Sequence, residues 1–273
     1  MSLLIATDLD QTLIYSPGAA LRGPQRDARV VELLDGKVIS LLSSRTEHDL
    51  RELQRLAVLV PATTRTRAQY ERVDLPAGSR YAIVASGGGI LVDGEPDLAW
   101  AASVLARLRS TASPLAEVHE LLDGLLSREW LLRVRGADDM FLVAAVDPAL
   151  LGAEELADIT GQCAGHGWRA LHQGRKLYVV PNELGKTAAV AQVAERVAEQ
   201  SGQAPTVLAA GDTLLDWSML CAAERAWMPA GSELDRLGRS APNLTRTDEG
   251  GLAAAEEIVA AWLEQAALLA HQH

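Results

Sequence analysis

The first part of the chain alternates short apolar runs with segments of helical periodicity. Residues 3–7 form an apolar run bounded by polar residues, which predicts a strand buried on both faces of a parallel sheet. Residues 30–42 carry two apolar arms on either side of Asp35 and Gly36, and this pattern predicts a β-hairpin. Leucines at helical spacing over residues 47–56 predict a helix. The chain therefore opens with a strand, a hairpin and a helix.

The pattern continues with two more buried strands and then changes. Residues 58–62 and 81–85 are short apolar runs, and each predicts a strand. The glycine-rich run 86–89 has little side-chain bulk, so we expect it to serve as a hinge. From about residue 90 to residue 179 the apolar residues alternate with polar ones in paired segments, with helices between them. This second region is predicted to be an α+β insertion.

We therefore predict an α/β fold with two domains. After the insertion the strand–helix alternation resumes, with a helix over 186–199, a strand over 206–210 and a closing helix over 253–269. Residues 1–86 and 180–273 are expected to form a discontinuous core domain around a parallel sheet. Residues 87–179 are expected to form the inserted domain.

Composition and charge narrow the class of protein. With 48% hydrophobic and 22% charged residues the chain has ordinary globular usage. Its net charge of −11 argues against a nucleic-acid partner, so we interpret Arg65, Arg67 and Arg72 as substrate-facing or salt-bridged. Apolar stretches stay below the ~18 residues of a membrane-spanning helix, and we expect a soluble, cytoplasmic protein without a membrane partner. The sequence gives no indication of oligomeric state. The terminal His271 and His273 lack partner ligands in the sequence, so we do not expect them to bind a metal.

Two carboxylates follow the first predicted strand. Asp8 and Asp10 are two residues apart at the carboxyl end of that strand, where open α/β sheets bind ligands. Asp8 can attack a phosphorus atom, while Asp10 gives a proton to the leaving group and later takes one from water. We therefore treat both as candidate catalytic residues.

Cationic and hydroxyl groups follow later strands. Thr63, Thr64 and Arg65 come after the strand over 58–62 and offer a cradle of hydroxyl and N–H groups for a phosphate. Lys186, one of only three lysines, opens a predicted helix and can neutralise both the attacking carboxylate and the phosphoryl oxygens. A P-loop is excluded because Val180 stands where that motif requires glycine.

A second acidic pair follows the strand over 206–210. Asp212 and Asp216 supply the hard oxygen ligands that Mg²⁺ prefers. Together with Asp8 and Asp10 they form a candidate metal site. The ordered set predicts an Mg²⁺-dependent phosphoryl-transfer site that uses an aspartate.

This ordered set resembles the haloacid dehalogenase (HAD) superfamily, which carries DxDx[TV], a strand-end Thr or Ser, a Lys and a GDxxxD-type acidic motif in that order. The matching positions are Asp8 to Thr12, Thr63, Lys186, and Gly211 to Asp216. The resemblance implies a Rossmann-like core with an inserted C2-type cap, as in the type IIB branch of sugar-phosphate phosphatases and phosphomannomutases. It also implies that Thr12 helps to hold the phosphoryl group.

The resemblance favours a phosphatase acting on a small phosphorylated metabolite, because phosphatases and phosphomutases keep the second aspartate that dehalogenases lack. A phosphomutase and a non-catalytic protein that binds a phosphometabolite or nucleotide are the alternatives. The chain has Leu215 where capped phosphatases usually have Asn, so the role of Asp216 is less defined than that of Asp212.

Two further likenesses concern individual segments. Ser43 to Thr46 looks like the SSKT of mannosyl-3-phosphoglycerate phosphatases and is an alternative to Thr63. We favour Thr63, because the hairpin over 30–42 then occupies the place of the flap that follows the nucleophile. The segments ATDLDQTLIYS and VPATTRTRAQY also look like the HAD proteins that accompany tellurium-resistance gene clusters.

Overall fold

The computed structural model describes residues 2–76, 78–125 and 128–270, which form two units. The first unit spans Met1–Pro96 and Lys186–His273, and the second spans Asp97–Gly185. The terminal His271 and His273 lie outside the described residues. Among the described residues, no helix is both long enough and apolar enough to cross a membrane.

The first unit has a parallel sheet of five strands with β1 near one edge. Its described strands are β1 (Leu3–Thr7), β2 (Ala28–Leu34), β3 (Lys37–Ser43), β4 (Val58–Pro61), β5 (Tyr81–Val84), β6 (Gly89–Val92), β7 (Glu95–Pro96), β12 (Thr206–Ala210), β13 (Arg225–Met228) and β14 (Leu244–Arg246). The five-stranded sheet has the order β14-β13-β12-β1-β4, and all its pairings are parallel. Every residue of β1 is buried, as the apolar run predicts.

Helices cover this sheet and close its core. They are α1 (Pro17–Ala20), α2 (Ser44–Leu53), α3 (Arg67–Tyr70), α7 (Lys186–Ser201), α8 (Trp217–Ala222), α9 (Glu233–Arg236) and α10 (Gly251–Ala270). Leu50 and Leu53 of α2 lie in one buried cluster with Ile5 of β1 and with Ile258 and Trp262 of α10. The predicted helices over 47–56, 186–199 and 253–269 are therefore present, with ends shifted by a few residues.

The predicted hairpin is formed by β2 and β3. Asp35 and Gly36 have φ values of 50° and 73°, the left-handed conformation that a two-residue turn of this type needs. The register slips around Glu32 between Val30 and Leu33, so β2 contains a bulge. As a result Val31 and Glu32 are both buried, although neighbouring residues of a regular strand face opposite sides.

The boundary between the units differs from the predicted one for a reason of strand pairing. Strand β6 pairs antiparallel with β5, and β7 pairs with β6, which keeps residues 87–96 in the first unit. The run 86–89 connects two paired strands of the first unit and does not lie at the boundary between the units. At the other end, residues 180–185 group with the second unit.

The second unit is an α+β arrangement, as the alternating pattern predicts. Its described strands β8 (Leu131–Ala137), β9 (Phe141–Val146), β10 (Trp168–Gln173) and β11 (Lys176–Pro181) form an antiparallel sheet in the order β10-β11-β9-β8. Its helices are α4 (Leu98–Thr111), α5 (Leu115–Asp123) and α6 (Ala153–Gly165). Trp130, Phe141 and Ile159 are among its buried residues.

Candidate active site

Three parallel strands bring chemically active side chains to one edge of the first unit's sheet. Asp8 follows β1 directly, Thr63 follows β4 and Asp212 follows β12. The Asp8 N–H donates to the carbonyl of Ala210 at 2.9 Å, which ties the end of β1 to the end of β12. Because the strands are parallel, their carboxyl ends meet at this edge.

Lys186 is a fully buried cation between two carboxylates. It is the first residue of α7, and its Nζ lies 2.6 Å from Asp8 Oδ1 and 2.5 Å from Asp216 Oδ1. Burial alone would lower the pKa of Lys186, but the neighbouring carboxylates of Asp216 and Asp8 outweigh it and raise that pKa. Lys186 is therefore held in its charged form.

Asp216 has both carboxylate oxygens engaged by the protein. Oδ1 accepts from Lys186, and Oδ2 accepts from the N–H groups of Asp212 at 3.2 Å and Thr213 at 3.0 Å and from the Thr213 hydroxyl at 2.9 Å. Gly211 leaves room for this turn, since a Cβ there would lie 2.5 Å from the Asp216 Cβ. Asp216 thus orients Lys186 and the turn that carries Asp212.

Asp212 is buried with far fewer partners. Within the described part of the chain its carboxylate accepts one hydrogen bond, from Gln11 Nε2 at 3.4 Å, and Arg22 in turn donates to the Gln11 Oε1 at 2.7 Å. Burial raises the pKa of Asp212, and the charges of Asp8 and Asp216 raise it further. A buried carboxylate with so few donors is suited to a cation as its partner.

The three buried carboxylates fit a divalent metal. One carboxylate oxygen from each of Asp8, Asp212 and Asp216 lies within 4.8 Å of the others. Burial raises the pKa of Asp8 to about 7, against the lowering effect of Lys186. Lys186 neutralises only part of the charge of the three carboxylates, and Mg²⁺ favours such an oxygen donor set. Since Asp216 is already bonded on both oxygens, Asp8 and Asp212 are the available ligands.

The three predicted threonines lie in different environments. Thr12 is completely buried, and among the described residues its hydroxyl has no hydrogen-bond partner. The Thr63 hydroxyl accepts from the Arg65 N–H at 3.1 Å and keeps its own proton to donate, whereas Thr64 is half-buried. An orphaned buried hydroxyl usually has an unseen partner, and a phosphoryl oxygen is one that fits.

Asp10 belongs to a different network from Asp8. Its carboxylate accepts two hydrogen bonds from Arg65, one from Nε at 2.7 Å and one from Nη2 at 2.8 Å. The Arg65 Nη1 donates to Glu32 at 2.8 Å. We expected Arg65 to bind substrate, and in the structure its side chain lies against these two carboxylates.

Comparison with known proteins decides the fold. No family model and no curated protein match the sequence. The sucrose-phosphatase of Synechocystis sp. PCC6803, solved with sucrose and phosphate, is 17% identical with a TM-score of 0.59 over 96% of this chain and 98% of that one. A haloacid dehalogenase-like hydrolase from Bacteroides thetaiotaomicron is 18% identical with a TM-score of 0.55, over 94% of this chain and 100% of that one.

The chain has the haloacid dehalogenase (HAD) fold. A haloacid dehalogenase-like hydrolase from B. subtilis gives the same result, at 19% identity and a TM-score of 0.53 over 94% of this chain and 98% of that one. The fold implied by the motif order is thereby confirmed. The assignment of the second unit as a C2-type cap stays a prediction.

The two candidates for the second motif, Thr63 and Ser43, lie at the ends of strands that belong to different sheets. Thr63 follows a strand that pairs directly with β1. Ser43 ends the hairpin strand β3 and caps α2, where its Oγ accepts from the Thr46 N–H at 3.0 Å and donates to the Thr46 hydroxyl. The placement of Thr63 beside β1 favours it as the motif residue.

Glu32 and Gln11 contact the candidate active site and were not predicted to do so. Glu32 interrupts an otherwise apolar arm of the hairpin, and such an interruption is the one signal in the sequence that marks it. Gln11 sits inside the DxDx[TV] segment with a φ of 63°, and its amide reaches Asp212. Both contacts depend on residues distant in sequence, so the sequence alone does not reveal them.

Proposed function

We propose that the protein is an Mg²⁺-dependent phosphatase that hydrolyses a small phosphomonoester through a phosphorylated Asp8. The observation that carries this proposal is the buried group of Asp8, Lys186, Asp212 and Asp216 at the carboxyl edge of the sheet. It combines a fixed carboxylate nucleophile, a buried cation and a surplus of negative charge that suits a divalent metal.

The residues of the site divide the chemistry between them. Asp8 attacks the phosphorus through one carboxylate oxygen, while Asp10 protonates the departing alcohol oxygen. Water then attacks the phosphorus of phosphorylated Asp8 with Asp10 as the base, and the bond between phosphorus and Asp8 breaks, which restores the carboxylate and releases phosphate. Lys186 and the hydroxyls of Thr12 and Thr63 hold the phosphoryl oxygens, and Thr64 adds a further hydroxyl at the same strand end.

The metal has a defined set of proposed ligands. Asp8, Asp212 and the backbone carbonyl of Asp10 would hold Mg²⁺, and Asp216 would support them through Lys186 and the turn at Asp212. When bound, Mg²⁺ offsets the negative charge of the phosphate and of the carboxylates during transfer. The proposal gives Asp212 the more direct role, because among the described residues its carboxylate accepts one hydrogen bond and that of Asp216 accepts four.

A phosphorylated sugar or related metabolite is the proposed substrate class. The Synechocystis structure was solved with sucrose and phosphate, and this is the source of the suggestion for a sugar phosphate. The charge of −11 supports a small substrate over a nucleic acid. That the second unit determines specificity stays a prediction. The cytoplasmic location also stays a prediction.

The test is phosphate release from a panel of phosphomonoesters with Mg²⁺ or with EDTA. We expect hydrolysis with Mg²⁺, loss with EDTA, and a fall of at least about 10³-fold for Asp8→Asn, because the amide is not a nucleophile. Asp93→Asn makes the same chemical change in an exposed turn and should leave the rate unchanged. Undiminished phosphate release by Asp8→Asn would contradict the proposal.

Two other results would redirect the assignment. Conversion of a sugar 1-phosphate into its 6-phosphate without phosphate release would indicate a phosphomutase. Binding of a phosphometabolite or nucleotide without turnover across the whole panel would indicate a non-catalytic binding protein.

A further inference from the structure

Glu32 is a buried carboxylate placed by a bulge in the hairpin. Its side chain is 0% exposed although it lies in a two-stranded ribbon, where one face normally meets solvent. The register slip on either side of Glu32 turns the carboxylate inward. Burial of an ionised carboxylate is costly unless it is paired, so a partner is required.

The principal partner is Arg65, which is also buried. Arg65 Nη1 lies 2.8 Å from Glu32 Oε2, and the Ser40 hydroxyl donates to the same oxygen at 2.9 Å from the opposite strand. Arg72 binds the other oxygen of Glu32 at 3.2 Å. Both oxygens of Glu32 are therefore fixed by groups from the hairpin and from the segment that follows β4.

Arg65 has an acceptor for each of its five N–H groups. Nε and one Nη2 hydrogen point to the two oxygens of Asp10, the second Nη2 hydrogen to Ser40 Oγ at 3.3 Å, and the Nη1 hydrogens to Glu32 and to the Gln69 carbonyl at 3.3 Å. A guanidinium has five N–H donors, so none is left for a phosphoryl oxygen. Its planar fork fits Asp10 with both contacts at once, which sets the direction of that carboxylate.

We propose that Arg65 is a positioning residue for Asp10 rather than a substrate ligand, and that Glu32 and Ser40 of the bulged hairpin fix Arg65 for this purpose. The inference rests on the proposed function, since it concerns the residue assigned to proton transfer. The Asp10 side chain is 49% exposed, and the fork occupies two of about four lone-pair positions of the carboxylate. The remaining positions are free to exchange a proton with substrate or water.

The role of Asp10 in protonating the leaving group supplies the test. Phenolate is a poor leaving group that needs a proton, whereas 4-nitrophenolate leaves without one. For Glu32→Gln and Arg65→Lys we expect kcat/KM to fall at least about tenfold with phenyl phosphate and less than about threefold with 4-nitrophenyl phosphate. The ratio kcat/KM reports the transfer to Asp8, before the step that all substrates share.

A control on the same strand separates positioning from general stability. Arg29 lies three residues before Glu32 and pairs with Glu47 and Asp74, so Arg29→Lys should leave both rates unchanged. Circular dichroism of each variant checks folding, and Arg65→Lys keeps the charge if Glu32→Gln does not fold. If Arg65→Lys lowered kcat/KM equally for the two esters, this inference would be overturned and the proposed function would stand. A wild-type protein without Asp8-dependent hydrolysis would overturn the proposed function and this inference with it.

Discussion

Asp8 and Asp10 are two residues apart in the sequence, yet they belong to two groups of carboxylates that are neutralised in different ways. Asp8 belongs to a buried group in which three carboxylates share one lysine. Asp10 belongs to a network in which it and Glu32 are matched by two arginines, Arg65 and Arg72. Surplus negative charge lies where we propose that a cation and a phosphoryl group bind, whereas balanced charge lies where we propose that a side chain is held in one orientation.

The largest expected effect comes from removing Lys186, the one cation that contacts the Asp8 group within the described part of the chain. Lys186→Met leaves three buried carboxylates without their cation, and we expect the free energy of unfolding to fall by about 3–5 kcal/mol in EDTA. Urea denaturation measures this change. Lys37→Met, at the exposed hairpin turn, is the matched control and should change little. A loss below about 1 kcal/mol for Lys186→Met would show that the carboxylates are protonated or hydrated rather than held by the lysine.

A smaller effect, of opposite sign in the two groups, comes from neutralising one carboxylate in each. In EDTA near neutral pH, Asp212→Asn should stabilise the protein by about 1 kcal/mol, within the usual range for a stabilising substitution, because it removes charge repulsion. Glu32→Gln should destabilise it, because it leaves Arg65 and Arg72 without their buried partner. Thermal unfolding measures the change in stability of both variants. A change of the same sign in both would show that the two groups of carboxylates do not differ in charge balance.

The stability of the wild type and that of Asp212→Asn should respond differently to pH and to Mg²⁺. Because the folded-state pKa values of Asp8 and Asp212 are raised, their contribution to stability is complete at low pH and declines as pH rises, through about 7 for Asp8. The metal-free wild type should therefore lose stability between about pH 4 and pH 8 more steeply than Asp212→Asn. Mg²⁺ should restore the wild type at the upper end of this range and have little effect on Asp212→Asn.

The sequence predicted those features that depend on local pattern. The apolar runs located β1, β4 and β12, and the parallel topology then placed Asp8, Thr63 and Asp212 at one edge. Asp35 and Gly36 located the hairpin turn because few residues tolerate positive φ.

Features that depend on pairing between distant residues could not be predicted from the sequence. The partner of Arg65 could not be predicted, since Glu32 reaches it only through a bulge, and a bulge has no fixed sequence pattern. The start of the second unit was misplaced because β6 and β7 pair back onto β5, which the change of periodicity near residue 90 does not reveal. Leu215 left the role of Asp216 less defined than that of Asp212, and the hydrogen bonds that Asp216 accepts from Lys186 and from the turn at Asp212 depend on the folded chain.

Acid quenching followed by peptide mass spectrometry detects whether Asp8 becomes phosphorylated during turnover. Asp10→Asn should slow hydrolysis of the phosphorylated enzyme, so this variant is mixed with Mg²⁺ and 4-nitrophenyl phosphate, quenched and digested. We expect a phosphoryl group on Asp8 that is absent from the Asp8→Asn/Asp10→Asn double variant. A phosphoryl group on another residue, or 4-nitrophenol release by the Asp10→Asn variant without any phosphorylated peptide, would contradict it.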